Sequence, residues 1–278
     1  MQDRRMDFDA YSPKQIATRV ETVGVTKARL PLLAMFTLSV IAGGFIGLGA
    51  LYYTVVISDA QLSFGIARVL GGLAFSLGLI LVVVAGAELF TGNNLLVMAW
   101  AGGKIGTGEM LRNWVIVFVG NAVGAIGLAV IVWLAHHGAM NGNAVALTYV
   151  KIASAKVQLP FWDAFFKGVL CNLLVCLAVW LSLAGHSVAD KILAIVFPIS
   201  AFVAAGFEHS IANLYFIPLG MLLADTVPAG AVAGTDALNL AGLAGNLVPV
   251  TLGNIAGGSV LVALIYFLVY QVSLRDSP

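Results

Sequence analysis

Glu88, Glu208 and His209 are ionisable side chains standing deep inside long apolar stretches of this chain. A group that carries charge is costly in such surroundings, and by default it marks a place where polar cargo or a proton passes. Glu208 and His209 are adjacent, so they cannot point the same way from one helix. One can face a passage while the other ties down backbone. We read Glu88 and Glu208 as holding irregular backbone by accepting N–H bonds. His209 is then the singular group for proton chemistry, and the Thr91 hydroxyl is the nearest donor that can meet it. Phe75, Leu79, Leu89, Phe90 and Phe202 flank these places, where apolar side chains can form constrictions that exclude hydrated ions.

The two polar stretches repeat each other. Ala85-Gly86-Ala87-Glu88 and Ala205-Gly206-Phe207-Glu208 match at an offset of 120, and Asn93 and Asn213 keep that offset. Val119-Gly120-Asn121 and Leu252-Gly253-Asn254 match at an offset of 133. The order "plain span, broken span, span with Gly-Asn" therefore occurs twice, over about 30–136 and 163–271. Three spans per copy is an odd number, so the copies must lie in opposite orientations, with the pathway at their interface.

Composition says what carries these groups. The chain has 278 residues, 60% hydrophobic and only 10% charged, with net charge +1 and mean hydropathy +1.00. Soluble domains carry about 25% charged residues, so a soluble enzyme is excluded. With no basic block, a nucleic-acid partner is excluded too. Cys171 and Cys176 suit neither a disulfide framework nor a zinc site, and neither a metal nor a cofactor is expected.

Charge-free runs predict one ordinary spanning helix each over roughly 31–57, 112–135, 164–186 and 246–270. Residues 69–103 and 192–224 are each too long for one straight span and too short for two. We read each as one broken segment, jointed near Glu88 and near Glu208, because irregular backbone at membrane depth is tolerated where it lines a cavity. The expectation is an all-α membrane protein of six transmembrane helices. Residues 1–29 form a cytoplasmic stretch with an amphipathic interfacial helix, opened by the capping box Ser12-Pro13-Lys14-Gln15. Residues 30–272 form the membrane domain and 273–278 a cytoplasmic tail. Basic residues concentrate on the side of both termini, while Arg68, Lys151, Lys156 and Lys167 fall on the other, which predicts an inner-membrane protein with both termini inside.

The motifs above resemble those of formate/nitrite transporters. The likeness is carried by Ala85–Asn93, with Thr91-Gly92-Asn93 at its end, by Gly206–Asn213, by Lys167–Trp180 and by Pro249–Asn254, and spans roughly residues 30–272. It implies an aquaporin-like inverted repeat, a homopentamer with one pore per protomer, and formate as the cargo of a channel or transporter rather than an enzyme. It implies Thr91 and His209 as the central polar pair, with Asn172 and Glu208 near them, Lys156 in the outer vestibule, and Val175 added to the apolar slits. A small weak-acid anion stripped of water there would cross as the neutral acid, its proton relayed through His209 and Thr91. Nitrite or hydrosulfide remain alternatives within the family. Outside it, an aquaglyceroporin-type channel lacks its Asn-Pro-Ala pairs, and an intramembrane protease lacks its Gly-x-Ser-Gly motif.

Overall fold

The computed structural model describes residues 10–58 and 61–273, and they are helical throughout apart from turns and short extended links. Arg4, Arg5 and Arg275 of the charge pattern, and residues 274–278 of the expected tail, lie outside the described residues. In chain order the helices are α1 (Pro13–Ala28), α2 (Leu32–Ile57), α3 (Phe64–Ala85), α4 (Leu96–Ala101), α5 (Thr107–Leu134), α6 (Ala144–Val157), α7 (Phe161–Ser182), α8 (Val188–Ala205), α9 (Ser210–Leu223) and α10 (Leu240–Ile255). The last continues with i→i+5 winding over Ala256–Leu264. Six helices are long and apolar enough to cross a membrane: α2, α3, α5, α7, α8 and the continuous run Leu240–Val272.

Glycine sets the closeness of the packing. A Cβ on Gly43 would collide with the Asn121 carbonyl, and one on Gly124 with the Val40 carbonyl, so α2 and α5 touch backbone to backbone. The second half repeats the device: Gly253 and Gly257 lie equally tight on the Phe165 and Val169 carbonyls of α7. These glycines are 133 residues from Gly120 and Gly124.

Both broken segments turn on a glycine in the left-handed region. α3 is capped by Gly86 at φ 83° and α8 by Gly206 at φ 76°, where a side chain would be strained. Three residues without helical winding follow Gly206, and five follow Gly86, the last two of them a turn. The first arms are longer than the charge pattern predicts. α3 absorbs Arg68, whose Nε donates to the Ala204 carbonyl at 2.7 Å. α8 absorbs Asp190, which completes a capping box with Ser187. Each first arm is thus a full-length span, and the pieces after the joints are short.

Two further differences from the sequence reading concern helices near the ends of the spans. α1 does begin at the Ser12/Gln15 capping box, with Ser12 N–H donating to Gln15 Oε1 at 2.8 Å. Its Ile16, Ala17 and Val20 are buried against Leu95, Leu96 and Ala99 rather than laid on a lipid interface, and Lys104 clamps the buried Glu21 of α1 at 2.5 Å. The spans read from the sequence leave 144–157 unassigned; α6 is a helix there, packed on α9, with Val145, Tyr149 and Ala153 buried at helical spacing.

Candidate functional site

The two joints are built alike. At the first, the Asn121 amide closes the backbone: its Oδ1 accepts from Phe90 N–H at 2.9 Å and its Nδ2 donates to the Glu88 carbonyl at 2.8 Å. The Glu88 side chain turns the other way. It accepts from Lys27 Nζ at 2.8 Å and from Asn93 Nδ2 at 2.8 Å. Asn93 also donates to Asn113 Oδ1 at 3.0 Å, and Asn113 returns a bond to the Lys27 carbonyl at 3.1 Å.

At the second joint each partner has its equivalent. Asn254 accepts from Ser210 N–H at 2.9 Å and donates to the Glu208 carbonyl at 3.0 Å. Glu208 accepts from Lys156 Nζ at 2.9 Å and from Asn213 Nδ2 at 2.7 Å. Asn213 donates to Asn246 Oδ1 at 2.7 Å, and Asn246 to the Lys156 carbonyl at 2.8 Å.

This overturns one expectation. The carboxylates do not hold the joints by accepting backbone N–H groups. A buried carboxylate is stabilised best by a cation, and each takes a lysine. An asparagine amide carries both a donor and an acceptor, so it alone satisfies an N–H and a C=O of the same irregular link. Lys27, Asn113 and Asn246 were missed. The signal for two of them was present: Asn113 and Asn246 are separated by the same 133 residues as Asn121 and Asn254.

Between the joints Thr91 Oγ1 meets His209 Nε2 at 3.1 Å, with both residues buried. His209 is also the N-cap of α9, and its Nδ1 accepts from Ala212 N–H at 3.2 Å. A ring nitrogen that accepts carries no proton, so the neutral ring is protonated at Nε2 and donates to Thr91. That leaves the Thr91 hydroxyl hydrogen available to a further acceptor. Asn172 braces the same place, its amide donating to the Thr91 carbonyl at 3.2 Å, to Asn94 Oδ1 at 2.8 Å and to the Asn254 carbonyl at 2.7 Å.

A cavity opens at each end of the spans. One, of about 360 Å³, is lined by Arg68, Phe75, Lys156, Lys167, Phe202 and His209, among others. The other, of about 350 Å³, is lined by Lys27, Leu79, Glu88, Leu89 and Asn93, among others. Phe75 and Leu79 are one turn apart on α3, so that helix runs from one chamber to the other. Phe202 stacks on the His209 ring, with centroids 6.0 Å apart and planes at 22°, and meets Phe75 edge-on at 5.7 Å. Two of the expected constriction residues line neither chamber. Phe90 packs edge-on against Trp114 and Phe118, and Val175 is buried in the core between. Among the described residues, no group of three or more His, Cys, Asp or Glu side chains is placed to hold a metal ion.

Six spans, two jointed segments related by a repeat, and a polar pair enclosed between two chambers define a membrane channel or transporter. The formate/nitrite transporter family profile matches residues 14–268, and the chain belongs to that family. It is 40% identical over 272 residues to the formate channel FocA of Escherichia coli, covering 95% of each chain. It is 36% identical to the formate channel FocA of Haemophilus influenzae, over 95% of this chain and 96% of the other. Among solved structures it is similar to a pentameric formate channel with formate bound, at 40% identity and TM-score 0.79, over 86% of this chain and 98% of that one.

Proposed function

We propose that the protein is a formate channel of the inner membrane, working as a pentamer, and that it passes the anion with a proton picked up at Thr91 and His209. The observation that carries this reading is the Thr91–His209 bond, enclosed by Phe75, Leu79, Leu89 and Phe202 between two chambers. The substrate and the assembly are drawn from the relatives' names. The orientation rests on charge: Lys14, Arg19, Lys27, Arg29, Lys104, Arg112 and Lys191 lie toward the α1 end, against Arg68, Lys151, Lys156 and Lys167 at the other. This bias supports a cytoplasmic side for both termini.

Moving a bare carboxylate-sized ion into a medium of low dielectric costs of order 20 kcal/mol in the idealised limit. Both lysines near the centre are already paired with carboxylates, so the anion lowers that cost by protonation. As it loses water between the apolar side chains, its proton affinity rises. The Thr91 hydroxyl hydrogen moves to the anion oxygen while His209 Nε2–H moves to Thr91 Oγ1. Formic acid leaves with the equivalent of the one proton that His209 took from solvent at Nδ1, and the ring, left neutral with its hydrogen on Nδ1, regains the Nε2–H form by exchange with water. For His209 to give up Nε2–H it must first be charged at Nδ1, which requires that Nδ1 release Ala212 N–H. The incoming anion supplies the countercharge for that step.

The test is flux into liposomes holding a pH dye, with formate, nitrite, hydrosulfide and glycerol compared. Wild-type protein should carry one proton with each formate. His209→Asn keeps a donor and an acceptor and should leave only a slow, pH-insensitive anion leak. Thr91→Ala should impair the same step, and the double variant should be little worse than either, since the pair acts as one unit. Proton-coupled formate flux at near-normal rate in His209→Asn would make His209 a helix cap and nothing more.

A further inference from the structure

The chamber that contains His209 has three cations on its lining, Arg68, Lys156 and Lys167, and one carboxylate, Glu208. Lys156 is consumed by Glu208. Arg68 has no carboxylate partner among the described residues. Its Nε is fixed by the Ala204 carbonyl, which holds the guanidinium plane at the chamber wall and leaves its two terminal amino groups uncommitted to any described carbonyl. Gly206 makes room for this: a Cβ there would come within 2.7 Å of Arg68 Nη2. The Tyr53 hydroxyl lies beside the same guanidinium. The opposite chamber has one cation, Lys27, already neutralised by Glu88. The mouths therefore differ by about two positive charges.

We infer that Arg68, with Tyr53 beside it and Lys167 across the chamber, forms a docking site for a small planar anion with two oxygens, where the substrate waits before it meets Phe75 and Phe202. The inference rests on the anion-channel reading and adds a station to it. A guanidinium presents parallel N–H donors that match two carboxylate or nitrite oxygens, and an ammonium does not reproduce this fork. The anchoring bond through Nε orients the fork without using it. Lys167 adds attraction with no geometric demand.

The experiment measures flux against concentration for wild type, Arg68→Gln and Arg68→Lys in liposomes, with formate, nitrite and chloride, at about 0.01 M and 0.15 M ionic strength, where the screening length falls from about 30 Å to about 8 Å. Arg68→Gln should raise the half-saturating formate concentration roughly threefold to tenfold at low salt, the size of one unit charge acting across several ångströms of partly hydrated space. It should keep the maximal rate and lose roughly half of the salt dependence, the rest being carried by Lys167. Arg68→Lys should keep the salt dependence and lose the preference for formate and nitrite over chloride. Elution as an intact assembly checks folding, and Arg68→Lys retains a donor for Ala204 should the Gln variant fail to assemble. A lower maximal rate with unchanged half-saturation would make Arg68 a fastener between α3 and α8 and overturn the site. So would unchanged salt dependence in Arg68→Gln. If wild type carries nitrite and chloride but no formate, the formate reading falls while the docking site is still tested by the other two anions.

Discussion

Replacing Lys156 by Met should destabilise the second joint far more than replacing Lys27 by Met destabilises the first. Lys156 Nζ is 2.9 Å from Glu208, with side chains 14% and 6% exposed; the Lys27–Glu88 pair is 2.8 Å apart, with side chains 27% and 7% exposed. At an effective dielectric of about 20, unit charges at that separation attract by about 6 kcal/mol. Removing one partner of a buried pair costs about 3–5 kcal/mol, because the remaining charge is left without a counterion. In Lys156→Met, Glu208 keeps, among the described residues, the Asn213 amide alone. The expected loss is about 6–20 °C in melting temperature, at about 2–4 °C per kcal/mol for a chain of this size. Lys27 is twice as exposed, water can replace part of its attraction, and Lys27→Met should lose half as much or less. Lys156→Met combined with Glu208→Gln should recover much of the stability, since the double change leaves no orphaned charge. The assay is thermal unfolding in mild detergent, read by loss of the assembled peak. Equal loss at both lysines, or a double variant worse than Lys156→Met alone, would refute the claim that charge compensation holds the joint.

Other consequences are as direct. Leu79→Ala and Phe202→Ala should widen selectivity and raise leak of larger anions in liposome flux; unchanged selectivity in both would return these side chains to ordinary packing. Asn254→Ala strips partners from Ser210 N–H and from the Glu208 and Gly168 carbonyls, and at about 1–3 kcal/mol for each buried group left unmade the second joint should open, seen as faster amide exchange at Glu208–Ser210. Gly124→Ala drives a methyl into the Val40 carbonyl and should separate α2 from α5, lowering the yield of assembled protein, whereas Gly127→Ala, where a Cβ meets nothing within 4 Å, should be silent. Mass measurement of the intact complex should give five copies of the 29.0 kDa chain; a stable monomer as the transporting species would refute the pentamer.

How far the sequence could be read depended on the kind of signal. The broken segments were legible because Glu88 and Glu208 interrupt runs whose lengths fit neither one span nor two, and because the Ala-Gly before each joint repeats. The contact between Thr91 and His209 was legible from chemistry, a hydroxyl and an imidazole at related places. The lengths of α3 and α8 were not, because charge was taken to end a span and Arg68 instead finds a carbonyl within the protein. The roles of the carboxylates were misread for the opposite reason: a buried Glu was given backbone partners, although lysines 61 and 52 residues away in sequence reach Glu88 and Glu208. Such pairings come from tertiary packing and leave no mark in local spacing. α6 was hidden because its length of 14 residues lies below what a span needs, so hydropathy passed over it, though it is the helix that delivers Lys156.

The charges of the pathway are distributed so that attraction and release do not conflict. Conduction requires a site that favours the ion enough to admit it and too little to keep it. Close to Thr91 each lysine is neutralised by a glutamate, and His209 is held neutral because Ala212 N–H occupies its Nδ1. An anion that reaches the centre therefore meets hydrogen-bond donors but no uncompensated cation that would trap it. Among the described residues, the positive charge without a carboxylate partner stands at the mouth, on Arg68 and Lys167, from which an anion can leave in either direction. Were Arg68 placed beside Thr91 instead, the same charge would stabilise the anion against protonation and oppose the crossing as the neutral acid that we propose. The neutral centre and the cationic mouth are thus two halves of one requirement, and the asparagine-held joints keep them apart.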